Sequence, residues 1–336
     1  MKAVGFLNSL PIDHADSLIE FDLPDPELRP ADLLVAVEAI SVNPADAKRR
    51  IRTAPDEALE APMILGYDAV GTVEAVGPEV TGFKKGDRVW YAGDAGRNGS
   101  NAELQAVDHR IVSLAPTSIS PTAAASLPLV TLTAWEVLFD RLQIPQDETR
   151  ASVLVIGGAG GVGSVTLQLL RKLTGHEAIA TASRDDSAEW CRKMGAHEIV
   201  DHRELVASTR ANGREFVDYI AHYNGLDLHW DAMCDLIAPQ GRISSIAETP
   251  EKLDLCALQG KSVGFMWELM FTRSMFGTQD MARQGAILSR MARMVDDGII
   301  SSTETKSLHG LSAETLKNAH RIIETGAMIG KLTVTF

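Results

Sequence analysis

The strongest chemical signal in the chain is the run Gly157-Gly158-Ala159-Gly160-Gly161-Val162-Gly163, which contains a GxGxxG pattern at Gly158, Gly160 and Gly163. It follows the short apolar run Val153-Leu154-Val155-Ile156 and opens a helical stretch over 164–173. A pyrophosphate needs backbone N–H groups aimed at it from a helix start and no β-carbon in the way, and glycines between a strand and a helix supply both. The candidate phosphate cradle is therefore Gly158, Ala159, Gly160, Gly161, Val162 and Gly163. Some twenty residues on, where a domain choosing NAD presents an acid to the ribose hydroxyls, the sequence reads Ala182-Ser183-Arg184. A hydroxyl and a guanidinium suit a 2′-phosphate, so Ser183 and Arg184 favour NADPH. Asp185 and Asp186 follow at once, and Arg184 could instead pair with them at the surface.

The elements that must position this turn can be read from periodicity. From 153 onwards, strand-like runs at 177–182, 198–200, 217–220, 241–246 and 262–266 alternate with helical segments, the pattern of a doubly wound parallel sheet. Before about 120, Gly and Pro punctuate short β-branched runs at 33–40, 69–76, 87–91 and 102–107, which predicts a largely β domain. Ser120-Pro121 offers an N-cap and a proline at the first helical position, and a second helical stretch follows Pro128. Past 267, Ile287, Leu288, Met291, Met294 and Val295 recur at helical spacing, as do Leu316, Ala319, Ile322 and Ile323, and a strand is expected over 331–336. That tail is too small to bury a core alone. The expected domains are 124–267 for the cofactor and a discontinuous 1–123 with 268–336.

Of the 336 residues, 45% are hydrophobic and 23% charged, and the net charge of -13 repels phosphate backbones and anionic membrane surfaces. Nucleic acid and membrane are not expected partners. Cys191, Cys234 and Cys256 are too few and too widely spaced for a disulfide framework or a CxxC pair, which fits a cytoplasmic protein. No targeting signal is evident, and the apolar stretch over 123–139 is broken by Ser126, Pro128 and Glu136, so no membrane span is expected.

Over essentially its whole length the sequence resembles the medium-chain dehydrogenase/reductase superfamily, in particular its zinc-type alcohol dehydrogenase-like proteins and quinone oxidoreductases. The residues that carry this are Ser41-Val42-Asn43-Pro44-Ala45-Asp46, Leu65-Gly66-Tyr67-Asp68-Ala69-Val70-Gly71, Gly86-Asp87-Arg88-Val89, Leu132-Thr133-Ala134, the glycine turn and Ile329-Gly330-Lys331. The resemblance implies an α/β protein with a GroES-like, β-rich substrate domain and a Rossmann domain, an active site in the cleft between them, and a homodimer. It places Thr133 near the nicotinamide and Lys331 at the pyrophosphate, although Lys331 could equally be a solvated edge charge.

The sequence departs from the alcohol-dehydrogenase branch at its metal. That branch holds catalytic zinc with Cys, His and a third Cys or carboxylate. Here the matching positions are Asn43 and Tyr67, with Asp68 as one candidate oxygen ligand, and the stretch matching the structural-zinc lobe has no cysteine. No metal is expected. If hydride passes to a quinone or an α,β-unsaturated carbonyl, negative charge grows on an oxygen that must meet donors. Asn43 is then expected to orient the carbonyl or ribose and Tyr67, or water, to supply the proton, with Asp46 and Lys48 as a relay behind them. The bland alternative is that Asn43-Pro44 is a turn and Tyr67 a half-buried core residue. His222 and His229 are expected to be structural, and the apolar segment 265–276 to be core, pocket lining or dimer contact. Competing readings are an alcohol or carbonyl oxidoreductase that still uses zinc and a non-catalytic NADPH-binding protein.

Overall fold

In the computed structural model, which describes residues 1–147 and 150–336, the long strand Asp32–Val42 organises the first half of the molecule. Leu33, Val35, Val37 and Ala39 alternate inward along it, as a pleated strand with one core face requires. It pairs antiparallel with Ala69–Val76 on one side and with the C-terminal strand Lys331–Thr335 on the other. These belong to a seven-stranded sheet that also holds Arg88–Tyr91, Leu104–Asp108, Val112–Leu114 and Glu304–His309. A three-stranded sheet of Ile19–Asp22, Lys2–Phe6 and Met63–Ile64, whose short strands lack a readable sequence period, accompanies it. Helix Ala313–Glu324 sends Leu316, Ala319 and Ile323 into the same core as Val35, Ile40, Leu332 and Val334.

The other half is built on six parallel strands in the order Glu198–Val200, Glu177–Thr181, Ser152–Ile156, Val217–His222, Ile237–Ser245, Gly264–Trp267. Numbered along the chain from Ser152, that order is 3-2-1-4-5-6, the doubly wound arrangement, whose direction reverses between Ser152–Ile156 and Val217–His222. All five residues of Ser152–Ile156 are buried, which is why this strand reads as an unbroken apolar run. Leu154, Ile179, Ile220, Trp230 and Ile243 form the core of this half.

The two compact units are Met1–Leu129 with Phe271–Phe336, and Val130–Met270. Their boundaries lie a few residues beyond those expected, for reasons of packing. Helix Pro121–Ala125, capped by Ser120 as the sequence indicates, packs on Asp32–Val42, Ala69–Val76 and Lys331–Thr335 and so belongs to the first unit. At the other end, Glu268 N donates to Ser245 O, keeping the end of the last parallel strand with the second unit.

One sequence expectation needs correcting. The helical run Pro121–Arg141, of 21 residues and mean hydropathy 1.4, is long and apolar enough to cross a bilayer despite Ser126 and Pro128. It is 83% buried inside the protein over its most apolar window, the place of a core helix. Its last turn, Glu136–Arg141, widens into a π-helix.

Candidate active site

The second unit holds the glycine turn at the C-terminal end of Ser152–Ile156, beside the reversal of strand order where doubly wound sheets bind nucleotides. Helix Gly161–Leu173 starts at once, so its unpaired N-terminal amides face the turn. Gly157 has φ +87°, a left-handed conformation that favours glycine, and its N–H is held by Thr181 Oγ1 at 3.0 Å. A Cβ on Gly163 would stand 2.3 Å from Gly157 O and 2.6 Å from Gly158 O, so a side chain there would wedge the helix off the strand. A Cβ on Gly160 would meet nothing nearer than 3.6 Å; its glycine keeps space open. Both glycine roles needed for a pyrophosphate are therefore filled, and the residues fit a dinucleotide.

Ser183 and Arg184 follow the strand Glu177–Thr181. Arg184 is the N-cap residue of helix Asp185–Met194, and its Nε lies 3.3 Å from Asp186 Oδ1 with both side chains well exposed. Such an exposed ion pair is weak. Ser183 Oγ lies 3.1 Å from His202 Nε2, a neighbour that sequence spacing does not suggest. His222 and His229 are largely buried in the same unit. His222 Nδ1 bonds Ser245 Oγ at 2.9 Å, and burial, with His229 beside it, pushes its pKa down to about 4. Thr133 is 5% exposed on helix Pro128–Trp135.

The first unit brings Asn43, Asp46, Asp68 and Lys331 into one buried network. Strand register explains it. Leu332 faces Val42 and Thr333 faces Ser41, so the next step of that antiparallel register sets Lys331 across from Asn43. Ile40 faces Ala69, and the same step sets Ser41 across from Asp68. Asp68 Oδ2 accepts from Ser41 Oγ at 2.5 Å, Asn43 Nδ2 at 2.9 Å and Lys331 Nζ at 3.2 Å, while Oδ1 accepts from Leu129 N at 2.7 Å. Lys331 Nζ also donates to Asn43 Oδ1 at 2.5 Å. Asn43, 1% exposed, thus has both ends of its carboxamide engaged.

Asp46 is held from both sides, accepting from Asn43 N at 2.8 Å and Gly66 N at 3.0 Å. Burial away from water pushes its pKa up to about 7, against the lowering by those amides and by the Lys331 charge. Helix Pro44–Arg52 buries Asp46, Ala47 and Arg50, and Lys48, two positions past Asp46, lies on its exposed side. The lysine whose charge bears on Asp46 is Lys331, from the C-terminal strand. Lys331, expected at the pyrophosphate, is 4% exposed and committed to Asn43 and Asp68.

Tyr67 packs its ring on Phe271 at 4.8 Å between centroids and is 4% exposed. Burial first, and the Asp46 charge second, hold its phenol well above the ordinary tyrosine range. Tyr67 Oη has no hydrogen-bond partner among the described residues, and it is absent from their fully buried unpartnered atoms. It is a proton-bearing donor that the protein has not used up.

A GroES-like sheet, a Rossmann sheet and a dinucleotide turn define an oxidoreductase of the medium-chain dehydrogenase/reductase type, and comparison with known proteins agrees. Residues 29–116 match the alcohol dehydrogenase GroES-like domain, and residues 194–334 match the zinc-binding dehydrogenase family. A zinc-type alcohol dehydrogenase-like protein of Staphylococcus aureus (strain MSSA476) is 41% identical over 338 residues, covering 99% of each chain. A crystal structure from Rhizobium etli CFN 42, offered as a candidate zinc-dependent alcohol dehydrogenase, aligns with TM-score 0.94 at 42% identity over 100% of this chain and 98% of that one. The quinone oxidoreductase of Pseudomonas syringae pv. tomato DC3000 aligns with TM-score 0.81 at 25% identity over 100% and 99%. The chain belongs to the zinc-type alcohol dehydrogenase-like family of the medium-chain dehydrogenases/reductases.

The family name implies zinc, and the residues do not fit it. The two side-chain oxygens that converge, Asn43 Oδ1 and Asp68 Oδ2, converge on an ammonium. Among the described residues no group of three or more His, Cys, Asp or Glu could hold a metal ion.

Proposed function

We propose that this protein is a zinc-independent, NADPH-dependent oxidoreductase that reduces quinones or α,β-unsaturated carbonyls, acting in the cytoplasm as a homodimer. The observation that carries the reading is the pair at the two ligand positions: an amide, Asn43, already bonded at both ends, and a phenol, Tyr67, with its hydroxyl uncommitted. Neither is a zinc ligand of the kind the family name implies, and the phenol suits a reaction that ends in protonation of an oxygen.

When bound, the nicotinamide supplies the hydride. Gly158 to Gly163 would hold the pyrophosphate, Ser183 and Arg184 the 2′-phosphate, and Thr133 would lie towards the nicotinamide end. As the acceptor gains hydride, its oxygen becomes anionic; Tyr67 Oη donates a hydrogen bond to that oxygen, and water supplies the proton. Because the phenol is held protonated, it remains a donor throughout the neutral range. Asn43 then acts by fixing the wall of the site rather than by touching the substrate.

Two further features support the setting. The three cysteines are free thiols, as a reducing compartment keeps them. The similarity to a quinone oxidoreductase extends over the whole chain. The test is NADPH oxidation with 1,4-benzoquinone, phenanthrenequinone and a simple enone, with and without chelator, repeated with NADH and with Tyr67→Phe. Chelator-insensitive turnover that favours NADPH and falls by about tenfold to a hundredfold in Tyr67→Phe is expected. Turnover abolished by chelation would return zinc to the site, and cofactor binding with no acceptor reduced would make this a binding protein.

A further inference from the structure

A lysine whose side chain is 5% exposed needs charge and hydrogen bonds around its ammonium to be stable there. Lys331 finds them in Asn43 Oδ1 and Asp68 Oδ2, the first at 2.5 Å and the second at 3.2 Å. Asp68 is itself 1% exposed and takes further hydrogen bonds from Ser41, Asn43 and Leu129. One buried cation and one buried anion share a cradle in which each side-chain oxygen has a donor. Asn43 stands where the zinc branch has its first ligand, and Asp68 follows the position of its histidine. The positive charge at this place comes from the chain.

We propose that Lys331 is the resident cation of this cradle: a positioning residue whose ammonium neutralises Asp68, holds the Asn43 carboxamide in one orientation, and keeps a metal dication out. A dication entering the cradle would meet a like charge at contact distance in a site with little water to screen it. An ammonium so committed is also unavailable to grip a pyrophosphate, so this role and a cofactor-binding role for Lys331 predict different things. The inference rests on the metal-free reading above, but not on the choice of acceptor.

The experiment uses Lys331→Ala, Lys331→Arg and the double variant Lys331→Ala/Asp68→Asn in the full chain. Removing the ammonium leaves a cavity facing Asp68, so methylammonium chloride is expected to raise the melting temperature of Lys331→Ala but not of the wild type or the double variant. The Kd for NADPH, read from nicotinamide fluorescence, is expected to stay within about twofold of wild type in Lys331→Ala, while kcat for quinone reduction falls by about tenfold or more. Lys331→Arg, which keeps the charge, should recover part of that loss.

A Kd raised about tenfold with kcat unchanged would assign Lys331 to the cofactor and overturn the proposal. So would a Lys331→Ala protein indifferent to methylammonium, or a wild-type protein that takes up one equivalent of zinc. If Lys331→Ala does not fold, the double variant, which removes both charges together, is expected to recover a cooperative melt, and failure to do so overturns the pairing. Should the NADPH reading itself be wrong, the wild type gives no fluorescence change and no turnover, while the methylammonium response is unaffected.

Discussion

A β-carbon built on Gly163 falls 2.3 Å from the carbonyl oxygen of Gly157, so the first turn of helix Gly161–Leu173 and the end of strand Ser152–Ile156 can meet only through a glycine. Gly160, three residues earlier, has no such constraint. The two positions therefore separate folding from binding. Gly163→Ala is expected to lower the melting temperature and cofactor affinity together. Gly160→Ala should melt within a degree or two of wild type yet weaken NADPH by about tenfold or more, because its methyl occupies the space a pyrophosphate needs. Equal loss of stability in both variants would contradict this division.

Arg184 provides the second prediction. Its pair with Asp186 is at the surface, where ion pairs contribute little, so losing that pair should cost little stability. Against a 2′-phosphate the same guanidinium makes a charge-assisted hydrogen bond, and Arg184→Ala should raise KM for NADPH by about tenfold with KM for NADH unaltered. A parallel rise for both cofactors would place Arg184 elsewhere than at the 2′-phosphate.

What could be read from the sequence follows from how far apart the interacting residues lie. The cofactor turn is local: strand, glycines and helix are consecutive, so their chemistry is visible in one stretch of text. The network of Ser41, Asn43, Asp68 and Lys331 is not. It joins residues 25 and 288 positions apart from Asn43, and only the strand registers reveal that Ser41 faces Asp68 and Lys331 faces Asn43. Lys48 shows the limit of nearness in sequence. It is close to Asp46 in sequence, but two helical steps turn it to the exposed side. The short strands Lys2–Phe6, Ile19–Asp22 and Met63–Ile64 escape prediction because sheets recruit such segments through partners elsewhere in the chain rather than through a period of their own.

The parallel sheet ends at Gly264–Trp267, a strand whose outer edge has no strand partner among the described residues. Trp267 and Leu269 beside it are each 54% exposed. An open strand edge next to large apolar side chains is a natural pairing surface, and a second copy of the chain would cover it. Light scattering after gel filtration is expected to give a dimer for the wild type and a monomer for Trp267→Glu with its melting behaviour otherwise intact. A wild-type monomer, or a Trp267→Glu dimer, would count against this surface.

Asp46 makes stability depend on pH in a direction opposite to that of most carboxylates. Its carboxyl keeps its proton up to about 7 when folded, whereas the unfolded chain releases it near 3.8. Between those values the folded state binds more protons, so stability from this group is greatest at the acid end, falls as pH rises towards 7, and is level beyond. His222 and His320, with pKa values pushed down by burial to about 4 and about 3, act the other way, favouring the folded state as pH rises. The wild-type profile therefore mixes opposing slopes. The difference between wild type and Asp46→Asn cancels the histidines. An asparagine presents one amide to two backbone donors and loses a hydrogen bond, which shifts the curve by a constant without changing its slope. Urea unfolding at intervals from pH 4 to pH 8 should show the wild-type advantage shrinking by up to about 1.4 kcal/mol per pH unit below 7 and then holding steady. A difference that is flat across the range would mean that Asp46 is ionised in the folded protein, and that the two amides and Lys331 outweigh its burial.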